Sequence, residues 1–206
     1  MCFLLCRLFD NEEHAETFLN GELRMMSLYY YRTQVENEHG RKDKYEGTQK
    51  LWQGKNTTLK INDQTIEGLL SVSLRMDSYE KKTKICCCTT LCYEGTTING
   101  LDTLSQFNLP YCVIFSESDK FVDRFKNAAN GMEYAFGKVS FYNPKIYNGD
   151  VNAFMKPELY TWQNEYRLIL QADAVDPFFL NVGDLHDIAT LFETKVLIKK
   201  LSNIGT

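Results

Sequence analysis

The chain of 206 residues contains no apolar run near the roughly 18 residues that a membrane-spanning helix needs. Its apolar start, Met1 to Phe9, lacks a basic segment and a small-residue cleavage site, and Arg7 interrupts it. We therefore expect a first strand in a cytoplasmic protein, with no membrane contact. The net charge is −4, whereas general nucleic-acid binders are usually basic, so any contact with nucleic acid must be local.

The motifs of several large enzyme classes are also missing. The sequence has no G-x-S-x-G, no P-loop, no Rossmann glycine fingerprint and no H-E-x-x-H. Its three histidines, His14, His39 and His186, are scattered without the spacing of metal ligands. The usual signatures of hydrolases, NTPases and dehydrogenases are therefore absent, and we expect no metal site.

Cysteine is present but in no familiar arrangement. Seven cysteines include the run Cys86-Cys87-Cys88, followed by Cys92. The segment "CCCTTLC" does not match zinc-ligand spacing, and no histidine lies near it. We interpret these cysteines as small buried apolar residues in a reducing compartment.

The remaining composition is that of one globular domain, residues 1–206, with 44% hydrophobic and 13% aromatic residues. We predict a strand over 2–9, a helix capped by Asp10, and a strand over "ELRMMSLYYY". A long polar loop, 33–58, follows, and then mostly short strands. Ser116 is expected to cap a helix after "YCVIFS", "LHDIATLFE" to form a helix, and "KVLIKKL" to form a closing strand. The fold class expected is α+β, with mixed, largely antiparallel twisted sheets and few helices.

Two polar clusters are candidates for chemistry. The first lies at the end of the second strand and in the loop after it: Ser27, Tyr31, Arg32, Arg41, Asp43 and Glu46. An arginine beside tyrosines can bind a phosphate while a ring stacks on a base. The second cluster is Gln163, Glu165 and Arg167, which strand alternation places on one face. Such a face is either exposed or lines a polar cleft, and its burial would require mutual pairing.

Gln163-Asn164-Glu165 resembles the Q-x-E signature of mono-ADP-ribosyltransferases of the bacterial-toxin type. The opening strand, helix, glycine and second strand are similar in shape to that superfamily. The chain also resembles an uncharacterised bacterial and phage-associated family, through "VIFS", "F.K......QNE.RL" and "VGDL.DIA". Only Ser27 stands where the toxins have a Ser-Thr-Ser strand, and Arg7 competes with Arg32 for the phosphate role.

The resemblance implies an enzyme that uses NAD as substrate. Glu165 would stabilise the ribosyl cation, and Gln163 would orient the incoming nucleophile. Arg32 or Arg41 would hold the pyrophosphate, Tyr31 would stack on nicotinamide, and Asp43 and Glu46 would bind ribose hydroxyls or structure the loop. The acceptor would be a macromolecule, RNA, DNA or protein, in a toxin–antitoxin or antiviral-defence setting with an antitoxin as partner. Two alternatives stay open: a binding module without turnover, and a nuclease using Asp43, Glu46 and Glu165 around a metal.

Overall fold

A computed structural model describes residues 2–33, 42–94 and 97–202. Within these ranges the strands are β1 (Cys2–Phe9), β2 (Glu22–Ser27), β3 (Lys50–Ile61), β4 (Gln64–Leu74), β5 (Thr83–Glu94), β6 (Thr97–Asn99), β7 (Tyr111–Phe115), β8 (Tyr134–Lys138), β9 (Ser140–Tyr142), β10 (Gly149–Asp150), β11 (Met155–Pro157), β12 (Glu165–Gln171), β13 (Phe178–Asn181) and β14 (Ala189–Glu193). The helices there are α1 (Glu12–Leu19), α2 (Leu28–Thr33), α3 (Asp77–Lys82), α4 (Leu101–Phe107), α5 (Ser118–Ala128) and α6 (Thr194–Ser202). A 3₁₀ segment, Glu158–Gln163, precedes β12.

The opening unit follows from local sequence. Helix α1 is capped by Asn11, whose side chain accepts a hydrogen bond from the His14 backbone N–H at 2.8 Å, so the expected Asp10 cap is one residue too early. The helix buries Ala15, Phe18 and Leu19. Gly21 follows with φ +96°, and a Cβ there would lie 2.2 Å from the Gly183 carbonyl oxygen. Only glycine satisfies both the backbone angle and this close approach.

The largest sheet has nine strands and runs in the order β13-β2-β5-β1-β7-β14, with β12 and β6 also on β5 and β8 on β12. Every pairing in this sheet is antiparallel. A three-stranded sheet contains β10, β3 and β4, and β9 pairs with β11 in parallel. The expected mixed α+β class, largely antiparallel and with few helices, is confirmed.

The sheet splits beside the middle of β5. Strand β1 pairs with Thr89–Tyr93 of β5, and β2 pairs with Ile85 and Lys84. Both lie on the edge of β5 opposite β12, because β12 pairs with Thr83–Thr89. Residues 86–88 of β5 therefore have no strand partner on that edge among the described residues. An opening between β1 and β2 follows from this register.

Two apolar layers cover the sheet. Helices α1 and α5 pack on one face, where the core includes Leu5, Phe18, Phe115, Phe121 and Leu168. A smaller cluster on the other face of β1 and β7 includes Leu91, Leu104 and Leu197. Within the described residues, no helix is long and apolar enough to cross a membrane.

Five further local predictions are wrong. Strand β3 begins at Lys50, inside the expected loop 33–58. The tyrosines after Ser27 lie in α2, which begins at Leu28, instead of extending the second strand. Strand β14 occupies part of the expected helix "LHDIATLFE", and α6 occupies the expected closing strand. Ser116 does not cap α5, because its hydroxyl donates to the Ile188 carbonyl at 3.0 Å.

Candidate functional site

The turn before β12 is held in place by three threonines. Thr89 donates to the Gln163 carbonyl at 3.1 Å, Thr90 to the Asn164 carbonyl at 3.0 Å, and Thr103 to the Trp162 carbonyl at 2.6 Å. Asn164 has φ 45°, a left-handed conformation that asparagine tolerates better than most residues. The backbone that presents Gln163 and Glu165 is therefore fixed from strand β5 and helix α4.

Alternation from this turn places Gln163, Glu165 and Arg167 on one face, as the sequence predicts. All three side chains are buried, and the intervening Asn164 is exposed. Glu165 lies opposite Thr89, and Arg167 lies opposite Cys87. The face is thus neither apolar core nor solvated surface, and its burial requires that the charges satisfy one another.

The charges do so in a hydrogen-bonded network of Glu46, Lys156, Gln163, Glu165 and Arg167. This network and the neighbouring buried Asp43 are together called the charge cluster. Arg167 donates from Nε to Glu165 Oε1 at 2.6 Å, and its two terminal nitrogens contact Glu46 at 2.8 and 2.7 Å. Lys156 Nζ lies 2.7 Å from both Glu165 Oε2 and Gln163 Oε1. Each oxygen of the Glu165 carboxylate therefore has a cationic partner.

The two acids at the ends of the cluster differ in their protonation. Burial alone would raise the pKa of Glu165, but the charges of Arg167 and Lys156 outweigh it and hold that pKa well below its ordinary value. Burial, followed by the negative charge of Glu46, raises the pKa of Asp43 to about 6. Glu165 is therefore ionised at neutral pH, whereas Asp43 titrates just below it.

A cavity of about 820 Å³ opens beside the charge cluster, at the split in the sheet. One wall is formed by Glu46, Lys156, Gln163, Glu165 and Arg167. The other walls come from the beginning of the chain, and they include Arg7, Arg24, Met26, Tyr30 and Tyr31. This volume lies within the range of small-molecule sites, and acidic, basic and aromatic groups converge on it.

Arg7 is the cation placed in the split. It is half-buried, and its guanidinium donates to the Cys86 thiol and, at 3.3 Å, to the Arg24 carbonyl. Within the described part of the chain, no carboxylate lies within ion-pair distance of Arg7. A guanidinium in this position can bind an anionic ligand.

The structure brings together part of the predicted site. Glu165, Gln163, Arg167, Glu46 and Tyr31 line the cavity, and Asp43 is buried in the adjoining cluster. Ser27 and Arg32 do not line it: Ser27 donates to Asp176, and Arg32 pairs with Glu80 at 2.5 Å. Arg41 lies outside the described residues.

Sequence reasoning missed Lys156 and ranked Arg7 behind Arg32 and Arg41. Lys156 is the lysine of the "F.K......QNE.RL" pattern, so a signal was present, although the three residues of β11 have no repeating pattern that would mark a site. Arg7 lies in β1 midway between Leu5 and Phe9, so strand alternation places it on the same core-facing side as these two residues. A cation at a core-facing strand position is the signal that could have identified it.

Four of the described cysteines, Cys6, Cys86, Cys88 and Cys112, are buried as the sequence interpretation expects, whereas Cys87 and Cys92 are partly exposed. Cys86 and Cys88 are buried on the core face of β5, and Cys87 lies on the cavity face. A hydrogen bond with Cys88 and the charge of Arg7 lower the pKa of Cys86 to about 7, against the opposing effect of burial. Within the described residues, no group of three His, Cys, Asp or Glu side chains is placed to hold a metal ion.

The fold and site define a mixed α+β protein with a buried charge cluster open to a cavity in a split sheet. Comparison of the chain with protein families, curated proteins and solved structures finds no match.

Proposed function

We propose that the cavity binds NAD and that the protein is an ADP-ribosyltransferase, with the fold arrangement of that superfamily. The observation that carries the proposal is the convergence on one cavity of Glu165 and Gln163, from the late turn and strand, with Arg7 and Tyr31 from the first 31 residues. These groups supply a carboxylate, an amide, a phosphate-binding cation and an aromatic ring.

The charge cluster suits Glu165 to stabilise a developing cation. In the proposed reaction the bond between nicotinamide and ribose breaks, and nicotinamide leaves with the bonding electron pair. A ribosyl cation develops, and the acceptor adds its electron pair to the anomeric carbon and loses a proton. Glu165 is ionised and oriented by Arg167 and Lys156 before the substrate arrives, so little reorganisation is needed. Each carboxylate oxygen has a second lone pair, which can accept a ribose hydroxyl.

We assign the binding of the NAD phosphates to Arg7 instead of Arg32. Arg32 forms an ion pair with the buried Glu80. Arg7 lines the cavity and has no carboxylate at ion-pair distance among the described residues. Tyr31 lines the same cavity and keeps its proposed role as a stacking surface for nicotinamide. Arg41 stays an untested candidate for the phosphate.

The proposed acceptor is an intracellular macromolecule, and the proposed setting is a toxin or phage-defence effector with an antitoxin partner. The basic residues Lys81, Lys82 and Lys84 offer little to steer a nucleic acid. Lys81 and Lys82 pair with Asp77 and Asp173, and Lys84 is buried against Asp176 at 2.7 Å. These contacts favour a protein acceptor, or a nucleic acid bound through another surface.

The test is release of nicotinamide from NAD by the purified protein, with water or added cell extract as acceptor. Glu165→Gln is expected to lower the rate at least a hundredfold, since it removes the charge that faces the ribosyl cation. Glu158→Gln, at an exposed glutamate of the 3₁₀ segment that precedes β12, should retain the wild-type rate. Full activity of Glu165→Gln, or the absence of release by the wild type, would contradict the proposal.

A nucleotide-binding module without turnover is the second candidate. The observation that favours it is the pairing of both Glu165 oxygens within the charge cluster, which is also what a purely structural ion network would show. Binding of ADP-ribose without any nicotinamide release from NAD would identify this function.

A further inference from the structure

Strands β2 and β13 line the cavity on the side of β5 away from β12. Leu23 and Met25 of β2 point into the core, and the alternate residues Glu22, Arg24 and Met26 line the cavity. Phe179 of β13 pairs directly with Arg24, so their side chains share a face, and Phe179 also lines the cavity. We call Arg24 and Phe179 the outer lobe.

Phe179 is exposed in a way that its neighbours are not. Phe178 and Leu180 on either side pack in the core, whereas 49% of Phe179 is accessible. A single exposed aromatic residue is ordinary on a protein surface. This one lies in the wall of the cavity beside an arginine, which is the setting of a stacking surface for a flat ring.

Arg24 adds positive charge to the same place. No carboxylate within the described ranges lies at ion-pair distance from it. Its carbonyl accepts a hydrogen bond from Arg7, so the Arg7 guanidinium lies beside the backbone that carries Arg24. In a chain with net charge −4, two arginines without carboxylate partners along one cavity indicate an anionic ligand.

The strand order sets a minimum length for this ligand. The path from Glu165 on β12 to Phe179 on β13 crosses β5 and β2, three strand steps, which amount to about 14 Å where strands are paired and to more across the split. Arg7 stands between the two ends. A ligand that reaches both ends carries a reactive ribose at one, phosphate in the middle and a flat base at the other.

We propose that the outer lobe is a nucleobase site. The adenine ring of the ligand stacks on Phe179, and Arg24 binds the phosphate side of the adenosine, next to the phosphates held by Arg7. The assignment rests on the proposed dinucleotide function, but it concerns binding of the adenosine half and requires no turnover.

Calorimetric titration of the full chain with AMP, ADP-ribose and nicotinamide mononucleotide tests the assignment. Phe179→Ala is expected to weaken AMP and ADP-ribose about tenfold or more, the loss usual when a base loses an aromatic stacking partner. Affinity for nicotinamide mononucleotide should not change. Phe179→Trp should restore binding, and Arg24→Gln should weaken AMP binding and reduce its salt dependence.

The matched control is Tyr134→Ala, which removes an aromatic residue of similar exposure, 42%, outside the cavity. If AMP does not bind, or if Phe179→Ala binds AMP as the wild type does, the outer lobe is not a nucleobase site. NAD turnover that depends on Glu165 would then leave the proposed function standing. Weaker AMP binding by Phe179→Ala without any NAD turnover would support the nucleobase site and refute the transferase.

Discussion

At the scale of single residues, the buried charges of the cluster stabilise one another. Glu165 is 5% exposed, Arg167 1% and Lys156 5%. Burial of each charged group is tolerated only because the other groups pair with it. Alternation in "QNEYR" predicts that Gln163, Glu165 and Arg167 share a face. Strand alternation could not predict their partners, because Glu46 and Lys156 are brought to them by other parts of the chain.

Lys156→Met tests this dependence. The substitution keeps most of the apolar stem but leaves Glu165 Oε2 and Gln163 Oε1 without their shared donor. We expect a loss of about 3–5 kcal/mol in the free energy of unfolding, the usual result of removing one partner of a buried ion pair. Urea unfolding at pH 7 measures it, and Lys145→Met at an exposed lysine should change stability by less than about 0.5 kcal/mol. Equal stabilities of the two variants would contradict the mutual dependence.

Asp43 makes stability depend on pH in the opposite sense to a salt-bridged acid. Its pKa is raised from 3.8 to about 6 in the folded protein, so the folded state holds the proton more tightly than the unfolded chain. Its contribution to stability is fully present below pH 3.8 and is lost as the pH rises through about 6. The loss approaches about 3 kcal/mol.

Asp43→Asn should remove this dependence. Asparagine can still accept the hydrogen bond from the Tyr45 backbone N–H, which Asp43 Oδ1 accepts at 2.8 Å. Relative to the wild type, the variant should gain about 2 kcal/mol or more in unfolding free energy between pH 4 and pH 7. Urea unfolding across that range measures the difference, and a difference that is constant with pH would be inconsistent with the raised pKa.

At the scale of elements, β3 and β4 form an arm that contributes little to the core. No residue of β4 is buried, although it carries Ile66, Leu69, Leu70, Val72 and Leu74. Leu51 at the base of β3 is the residue that anchors the arm, in a small cluster with Tyr142 and Val151. Apolar content alone would have placed β4 inside the protein, so burial here could not be predicted from sequence.

Leu70→Ser should therefore be nearly neutral in a monomer. Leu70 is 74% accessible, and its replacement should change the free energy of unfolding by less than about 0.5 kcal/mol. Leu168→Ala, at a fully buried leucine of β12, should cost about 2–5 kcal/mol. Thermal or urea unfolding of both variants compares them directly, and a large loss for Leu70→Ser would mean that the arm is covered in solution.

Helices and strands were predictable from the sequence where the local residue pattern is compatible with only one kind of secondary structure. Strands β1, β5, β7 and β12 and helices α1 and α5 follow from their apolar patterns and nearby turn residues. The segment "KVLIKKL" has apolar residues that suit a strand or a short helix, and as α6 it packs Leu197 against Leu104 of α4. Tertiary contact decides such a segment, as it does the tyrosines after Ser27 that begin α2.

At the scale of the whole molecule, β5 joins the two halves of the site. Its "CCC" segment, residues 86–88, faces the split on one edge and β12 on the other, so the front of the chain and the late strand meet across it. The sequence identifies both groups of residues. It does not predict the split in the sheet, which depends on where β1 and β2 leave β5. That strand pairing also decides whether Arg7 or Arg32 lines the cavity.

A global measurement separates these two arginines. A ligand that binds only the folded state at one hundred times its dissociation constant adds about 2.7 kcal/mol to stability. For a chain of this length, ADP-ribose should then raise the unfolding temperature by roughly 5–10 °C. Arg7→Gln should abolish most of that rise, because it removes the cation in the split, whereas Glu165→Gln should retain it.

Arg32→Gln provides the contrast, since Arg32 donates to the buried Glu80 at 2.5 and 3.1 Å and does not line the cavity. It should lower the unfolding temperature of the free protein, because Glu80 loses its closest cationic partner, and yet leave the rise caused by ADP-ribose unchanged. The reverse result, a rise lost with Arg32→Gln and kept with Arg7→Gln, would return the phosphate role to Arg32 and move the ligand away from the split sheet.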